Sequence, residues 1–380
     1  MIINNQVKAL VSKIENLNQS EISELNYYLK ELVLELKATT SNPKNKYTAG
    51  HFNSASNELM NYPLSKDNYA LAIDPLIDEE AFIATLEKYG IVVGSQIFKA
   101  KECNQIVTDI YNIVNSISNG KCDLNDPETW KNIPLDKYGV SLISRGFLEI
   151  YHNQILANMR QAVKIYIHHV VLWGRYDLWT SFDRLGIKLP NHEELKGLPL
   201  HVDQNPLIHS DFKTIQGVLA LSDCSVERGT FVGVPGSRNF FLDFKKFAPE
   251  HGDYVEISKG YSFYKNFEQY SQAIPIRKGD LITWDSRTVH ANSENISNDT
   301  RLVAYIAAGI AKEQDQEIIN TRVDAFRTGI GSNVREALMH ASKKSRYTDY
   351  DSLNKTRDGV EQLMLLGELL YGIKKYNKLR

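Results

Sequence analysis

The run KGDLITWDSRTVHANSENISNDTRLVAYIAAGI, residues 278–310, holds two strand-like pieces, DLITWDS and RLVAYIAAGI, with no helical pattern between them. Lys278, Gly279 and Asp280 read as a tight turn, since glycine accepts backbone angles that other residues resist. The apolar residues that follow suit a pleated strand with a buried face. Similar short pieces lie upstream: DLWTSF, LPLHVDQ, TIQGVLALSD and GTFVGVPGS. Gly, Pro, Asn and Asp separate them, and most lack an intervening helix long enough for a parallel crossover. The spacing therefore predicts an antiparallel sandwich or barrel over roughly residues 175–312.

Elsewhere the period is helical. Leu10, Ile14 and Leu17 share one face of a first segment, and Ile22, Leu25, Leu29, Leu32 and Leu36 one face of a second. Residues 1–38 thus read as a two-helix arm, with Ser20 placed to cap its second helix. Residues 39–57, TTSNPKNKYTAGHFNSASN, have the polar composition of a linker, within which His51 and Phe52 have no assigned role. The remainder, 58–380, reads as one domain. In it EEAFIATLEKYG is a helix stopped by Gly90, IVVGSQIF a strand, and KECNQIVTDIYNIVNSI and ILANMRQAVKIYIHHVVLWG helices. NVREALMHASKK and GVEQLMLLGELLYGIKKY supply C-terminal helices within 313–380. The predicted class is a mainly β core with α flanks (α+β), without internal repeats.

Bulk properties narrow the partners. A chain of 380 residues buries a substantial core, while 44 basic and 46 acidic residues, formal charge −2, create no field for gathering nucleic acid or anionic membrane. Cys103, Cys122 and Cys224 lie far apart without CxxC spacing, which argues against a disulfide framework or a thiolate zinc site and for a reducing compartment. The first residues contain no continuous apolar signal core, and no apolar run approaches the roughly 20 residues of a membrane-spanning helix. The final NKLR matches no retention or peroxisomal address. The expectation is a cytoplasmic protein acting on a small-molecule substrate, with neither nucleic acid nor membrane as partner and the helical arms as candidate homodimer contacts.

The chemistry concentrates in HVDQNP, residues 201–206. On a strand, side chains alternate, so His201 and Asp203 point to one face and can grip one ion. His290, at the end of the 278–310 run's first strand, is the candidate third ligand. Two imidazoles and a carboxylate on three neighbouring corners of an octahedron suit ferrous iron and leave an open face for a cosubstrate and dioxygen. HxD alone is a weak pattern that occurs by chance in many strands. Arg301 adds to it: eleven residues after His290, it starts an apolar strand, where an inward guanidinium needs an anion. A dicarboxylate matches its planar fork, with a structural acid or solvent exposure as the competing account.

These linked pieces resemble the phytanoyl-CoA dioxygenase-like branch of the iron(II)- and 2-oxoglutarate-dependent dioxygenases. The resemblance runs from LWTSFDR through HVDQNP, IQGVLALSDC, GTFVGVPGSR and KGDLITWDSRTVHANSENISNDTR. It implies a double-stranded β-helix (jelly-roll, cupin-like) with N- and C-terminal helices, His201, Asp203 and His290 as catalytic iron ligands, and Arg301 as the anchor for 2-oxoglutarate. It further implies that 2-oxoglutarate and O2 become succinate and CO2 while a substrate is hydroxylated. Because Asp203 is present where halogenating relatives commonly carry a small residue, hydroxylation rather than chlorination is expected. Gln216 and Asn292 fall where the family contacts 2-oxoglutarate, although ordinary strand or turn hydrogen bonds compete. Asp183 and Arg184, in WTSFDR, are candidate substrate residues on a strand, with a local salt bridge as the alternative. Arg145, His168, His169 and Trp173 receive no role. The alternative functions are a catalytically silent iron- or 2-oxoglutarate-binding sensor or scaffold, and a cupin-like isomerase or zinc hydrolase that would not need Arg301.

Overall fold

The computed structural model describes residues 1–17, 21–41, 58–135, 139, 141–144, 146–190, 197–212, 214–331 and 360–379. Its elements begin with α1 (Asn5–Asn16), α2 (Ile22–Thr40), β1 (Ala72–Ile73), α3 (Glu79–Tyr89), β2 (Ile91–Gly94) and α4 (Ala100–Ile117). Next come β3 (Ile143–Ser144), β4 (Phe147–Leu148), α5 (Gln154–Arg160), α6 (Val163–Trp173), β5 (Leu178–Thr180), β6 (Leu185–Lys188), β7 (Leu198–Val202) and β8 (Ile215–Ala220). The chain continues with β9 (Phe231–Gly233), β10 (Val255–Glu256), α7 (Tyr264–Gln269), β11 (Gln272–Ile274) and β12 (Leu281–Asp285). It then forms β13 (His290–Asn292), β14 (Arg301–Tyr305), β15 (Ala308–Ile310), α8 (Gln316–Thr328) and α9 (Leu365–Leu370). This is a mixed α and β protein. The chain forms two compact units, the first from residues 1–48, 104–185 and 305–380, the second from 49–103 and 186–304.

In the first unit, α1 and α2 bury the apolar faces read from the sequence: Val7, Leu10, Val11 and Ile14 on one, Leu25, Leu29, Leu32, Val33 and Leu36 on the other. Asn4 caps α1 by accepting from the Val7 amide at 2.8 Å. The expected Ser20 cap, most of the 39–57 linker, Arg145 and the NVREALMHASKK helix lie outside the described residues. One expectation is corrected. The single helix read over ILANMRQAVKIYIHHVVLWG is two, because Ala162 is extended (ψ 130°) and breaks α5 from α6. A tertiary contact stands beside the break: the buried Gln161 carboxamide accepts from the Met364 amide at 2.9 Å. His168 and His169 lie buried in α6, and burial pushes the His169 imidazole down to about 4. Among the described residues, no helix is long and apolar enough to cross a membrane.

The second unit carries the strand pattern. One sheet of it runs β1-β2-β12-β8-β14-β6, and a five-stranded sheet runs β10-β7-β13-β9-β11. Pairing of β12 with β8 and with β2, and every pair of the five-stranded sheet, is antiparallel, as the short connections required. Gly90 takes φ 73° to stop α3, a left-handed cap that glycine adopts without steric cost. The sheets meet through Phe231 and Trp284, whose rings are 4.7 Å apart. Gly233 on β9 makes room for that closeness: a Cβ there would lie 2.6 Å from Ile91 Cδ1 of the facing sheet. A Gly233→Val variant is expected to lose about 1–3 kcal/mol through overpacking, read as a lower urea midpoint without a changed slope.

Candidate metal centre

His201, Asp203 and His290 come together as the sequence predicts, with one ligand atom from each lying within 4.8 Å of the others. The register explains it: His290 of β13 pairs directly with His201 of β7, and Asp203 follows one residue beyond that strand's end. The two imidazole rings are 4.3 Å apart. Asp203 spreads its carboxylate over both, Oδ1 at 3.9 Å from His201 Nε2 and Oδ2 at 3.5 Å from His290 Nε2.

Each ring is committed at its other nitrogen. His201 Nδ1 sits 2.8 Å from the Pro199 carbonyl oxygen and His290 Nδ1 3.0 Å from that of Thr288. A carbonyl can only accept, so Nδ1 holds the proton and Nε2 turns its lone pair toward Asp203. Burial, then the neighbouring His290, pushes His201 down to about 4, keeping it a neutral ligand at neutral pH. Burial alone would raise the Asp203 carboxyl, but the two imidazoles beside it and the hydrogen bond from Gln216 hold it well below the usual carboxylate range. Two imidazole lone pairs and one carboxylate, converging with their remaining polar atoms satisfied, fit a divalent metal of the iron, zinc or manganese kind.

The surroundings are aromatic. Tyr254 stacks on His201 at 4.8 Å, Phe231 lies parallel to His290 at 5.7 Å and Trp284 is 5.1 Å from it. Such a shell limits water around the centre on these sides. His290 is presented by a braced turn in which Arg287 grips Asp285 through Nη2 at 2.6 Å and the Thr288 amide donates to the Asp285 carbonyl at 2.8 Å. Ser237 Oγ then accepts from the Val289 amide at 2.8 Å.

The other expected residues divide. Gln216 on β8 directs Nε2 to Asp203 Oδ2 at 2.9 Å, so its observed partner is a metal-binding carboxylate. Asn292 follows His290 by two residues, and its Oδ1 accepts from Lys188 Nζ at 2.5 Å. Arg301 opens β14, 3% exposed, and its Nε and Nη1 are buried without a hydrogen-bond partner. Asp183 and Arg184 belong to the first unit and lie between β5 and β6, not on a strand. There the Asp183 carbonyl accepts from Arg160 Nη2 at 2.5 Å, and its carboxylate accepts from the Arg184 amide at 2.8 Å. The Arg184 guanidinium pairs with Glu149 at 3.5 Å and Tyr151 Oη at 2.8 Å, a local ion pair not made with Asp183.

Several contributors escaped the sequence reading. Lys188, in LGIKL, carried the same signal that marked Arg301, a cation in an apolar strand. Phe231, Trp284 and Tyr254 gave none, since aromatic residues in strands ordinarily serve the core.

A two-histidine, one-carboxylate centre carried by antiparallel strands, with a buried arginine in the same unit whose Nε and Nη1 lack acceptors, is the arrangement of a mononuclear metal oxygenase. The family model for phytanoyl-CoA dioxygenase matches residues 86–303, more than half the chain, and the protein belongs to that family and is an oxygenase. Ava biosynthesis cluster protein O of Aspergillus versicolor is 24% identical over 220 residues, covering 54% of this chain and 69% of the relative. A Dictyostelium discoideum protein named for phytanoyl-CoA dioxygenase is 23% identical over 257 residues, covering 58% of this chain and 72% of its own. A crystal structure from Salmonella typhimurium LT2, of a protein described as an oxidoreductase, shares the fold with TM-score 0.58 at 14% identity, covering 97% of this chain and 96% of that one.

Two outcomes follow. Gln216→Leu is expected to weaken metal binding roughly 10- to 100-fold, measured by competition with a chromophoric chelator. Burial raises the Asp183 carboxyl to about 6, so the folded state holds a proton that the unfolded chain has released. Its stabilising contribution is complete below about pH 4 and is lost as pH rises through 6, about 3 kcal/mol for two units. Urea unfolding of Asp183→Asn should lack that decline between pH 4 and 7.

Proposed function

We propose that the protein is an iron(II)- and 2-oxoglutarate-dependent hydroxylase of a small molecule, built on a double-stranded β-helix. The observation that carries this is the occurrence, in one unit, of the His201, Asp203 and His290 centre and the buried Arg301, whose Nε and Nη1 have no acceptor. A zinc hydrolase or cupin-like isomerase would use the first and have no need of the second. Family membership supports the reading, as does the place of one relative in a biosynthesis cluster. When bound, iron with 2-oxoglutarate and dioxygen supplies the oxidising power, the 2-oxo acid leaving as succinate and carbon dioxide.

The protein's part is orientation and charge. His201 and His290 offer neutral Nε2 atoms whose direction is set by the carbonyls of Pro199 and Thr288. Asp203 brings the one negative charge of the ligand set, and Gln216 holds its Oδ2. The presence of this carboxylate favours hydroxylation over halogenation. Arg301 binds the second carboxylate of 2-oxoglutarate as a charge-assisted fork, and the Asn292 amide nitrogen, with its oxygen already taken by Lys188, adds a donor. Tyr254, Phe231 and Trp284 keep water away from the reacting atoms. Of the two candidate substrate residues, Arg184 is already held by Glu149 and Tyr151.

The test is iron-dependent conversion of 2-oxoglutarate to succinate by the purified protein, followed with and without metabolite extract, and a mass gain of one oxygen in a consumed compound. Asp203→Ala and His290→Ala should each abolish succinate formation, and unchanged formation in either would overturn the reading. Binding of 2-oxoglutarate with no succinate under any condition would instead identify a sensor or scaffold. Arg301→Met should raise the 2-oxoglutarate concentration for half-saturation by about 10- to 100-fold.

A further inference from the structure

The metal centre is covered on one side and open on another. Phe231 and Trp284, beside His290, are each 4% exposed, whereas Tyr254, stacked on His201, is 40% exposed and the Asp203 side chain 26%. Solvent therefore reaches the ligands along β10, and a substrate can take the same approach.

β10 is the edge strand of the five-stranded sheet, and its register with β7 sets Glu256 opposite His201 and Val255 opposite Val202. One step further along this antiparallel pairing, Tyr254 falls opposite Asp203. Val202, Val255 and Ile257 are buried in one core cluster, so the alternate residues Tyr254 and Glu256 turn to the other face, the one that carries His201 and Asp203. Opposed residues of such a pair have Cβ atoms roughly 5 Å apart. Glu256 is thus a neighbour of the metal ligands. The turn before Tyr254 is also held in place: the buried Asn205, two residues after Asp203, donates through Nδ2 to the Pro249 carbonyl at 2.7 Å and the Gly252 carbonyl at 2.9 Å.

What this lip recognises follows from its charge. Asp203 is committed to the metal, and the Asp253 carboxylate lies 3.8 Å from His209. Glu256 is exposed, and among the described residues its carboxylate has no hydrogen-bond or ion-pair partner. A charge of either sign on an edge strand deters pairing with another chain, which leaves the negative sign and the place opposite His201 unexplained. An aromatic ring beside a free carboxylate suits an organic ammonium group, since the ring face attracts the cation and the carboxylate pairs with it.

We propose that Tyr254 and Glu256 form a substrate lip beside the metal centre and make it select a small molecule that carries a cationic nitrogen. This rests on the hydroxylase reading above and names, within it, the class of substrate. The ammonium group anchors on β10, and the remainder of the molecule extends toward the ligands.

The experiment compares two probes of the same shape, choline and 3,3-dimethylbutan-1-ol, which differ by the charge at the quaternary centre. Their binding to the manganese(II)-loaded protein is followed by the nuclear magnetic relaxation of their methyl protons, with the zinc(II)-loaded protein as diamagnetic reference, so that a probe responds only when it lies close to the metal. Wild type should bind choline about tenfold more tightly than the alcohol, with manganese-dependent broadening of the choline signal. Glu256→Gln should weaken choline about 3- to 10-fold and change the alcohol by less than about twofold, and Glu256→Lys should abolish the preference. Tyr254→Leu should weaken choline about 3- to 10-fold, whereas Tyr254→Phe, which keeps the ring, should retain most of the binding. Manganese affinity and the far-ultraviolet circular dichroism of the two Glu256 variants should match wild type. Equal affinity for the two probes, choline binding without manganese-dependent broadening, an undiminished preference in Glu256→Gln, or binding of neither probe would each overturn the proposal. Failure of the hydroxylase reading shows instead in the succinate assay, which uses neither probe, so the two failures are distinguishable.

Discussion

Two buried imidazoles and a partly buried carboxylate beside aromatic rings are costly unless each atom has a defined partner, and the second unit is organised around that constraint. The Pro199 and Thr288 carbonyls take the Nδ1 protons, Gln216 takes one carboxylate oxygen, and the three remaining ligand atoms are left facing one another. What is left unpaired is what a metal requires. The strand pairing supplies the rest: with His290 opposite His201, no loop rearrangement is needed to bring residues 89 positions apart in the chain into one coordination sphere.

Charge is balanced in the same way. Asp285 is a buried acid answered by Arg287, and this pair stiffens the turn that delivers His290. No carboxylate among the described residues pairs with Arg301 or Lys188: Lys188 meets only the neutral Asn292 and Ser293 oxygens, and Arg301 leaves Nε and Nη1 without an acceptor. Arg160 and Arg322 in the first unit are also buried. Arg160 is spent on the Asp183 carbonyl, and Arg322 on the Thr180 carbonyl and the faces of Trp179 and Phe182. A buried guanidinium is therefore not in itself evidence of a site.

The glycines of the second unit show how backbone freedom serves the centre. Gly233 lies opposite His290, and its missing side chain lets the two sheets approach closely enough for Phe231 and Trp284 to meet beside the imidazole. The aromatic wall and the metal ligands thus depend on one small residue between them.

The antiparallel, strand-rich core was legible because short apolar pieces separated by turn residues leave few other arrangements, and the triad was legible because HVD and the distal histidine keep their chemistry whatever the register. Arg301 was visible as a charge in an apolar strand, and Lys188 stood in the sequence with the same mark. Residue type and short-range periodicity thus determined the strand-rich core and the members of the His201, Asp203 and His290 cluster, and marked Arg301 as a cation in an apolar strand. Tertiary structure alone decided that Gln216 serves Asp203, that the Asp183 carbonyl meets Arg160 off the strand, and that one apparent helix is two at Ala162. Each of these is a contact between residues distant in the chain, and local pattern carries no information about which distant partner a polar group will find.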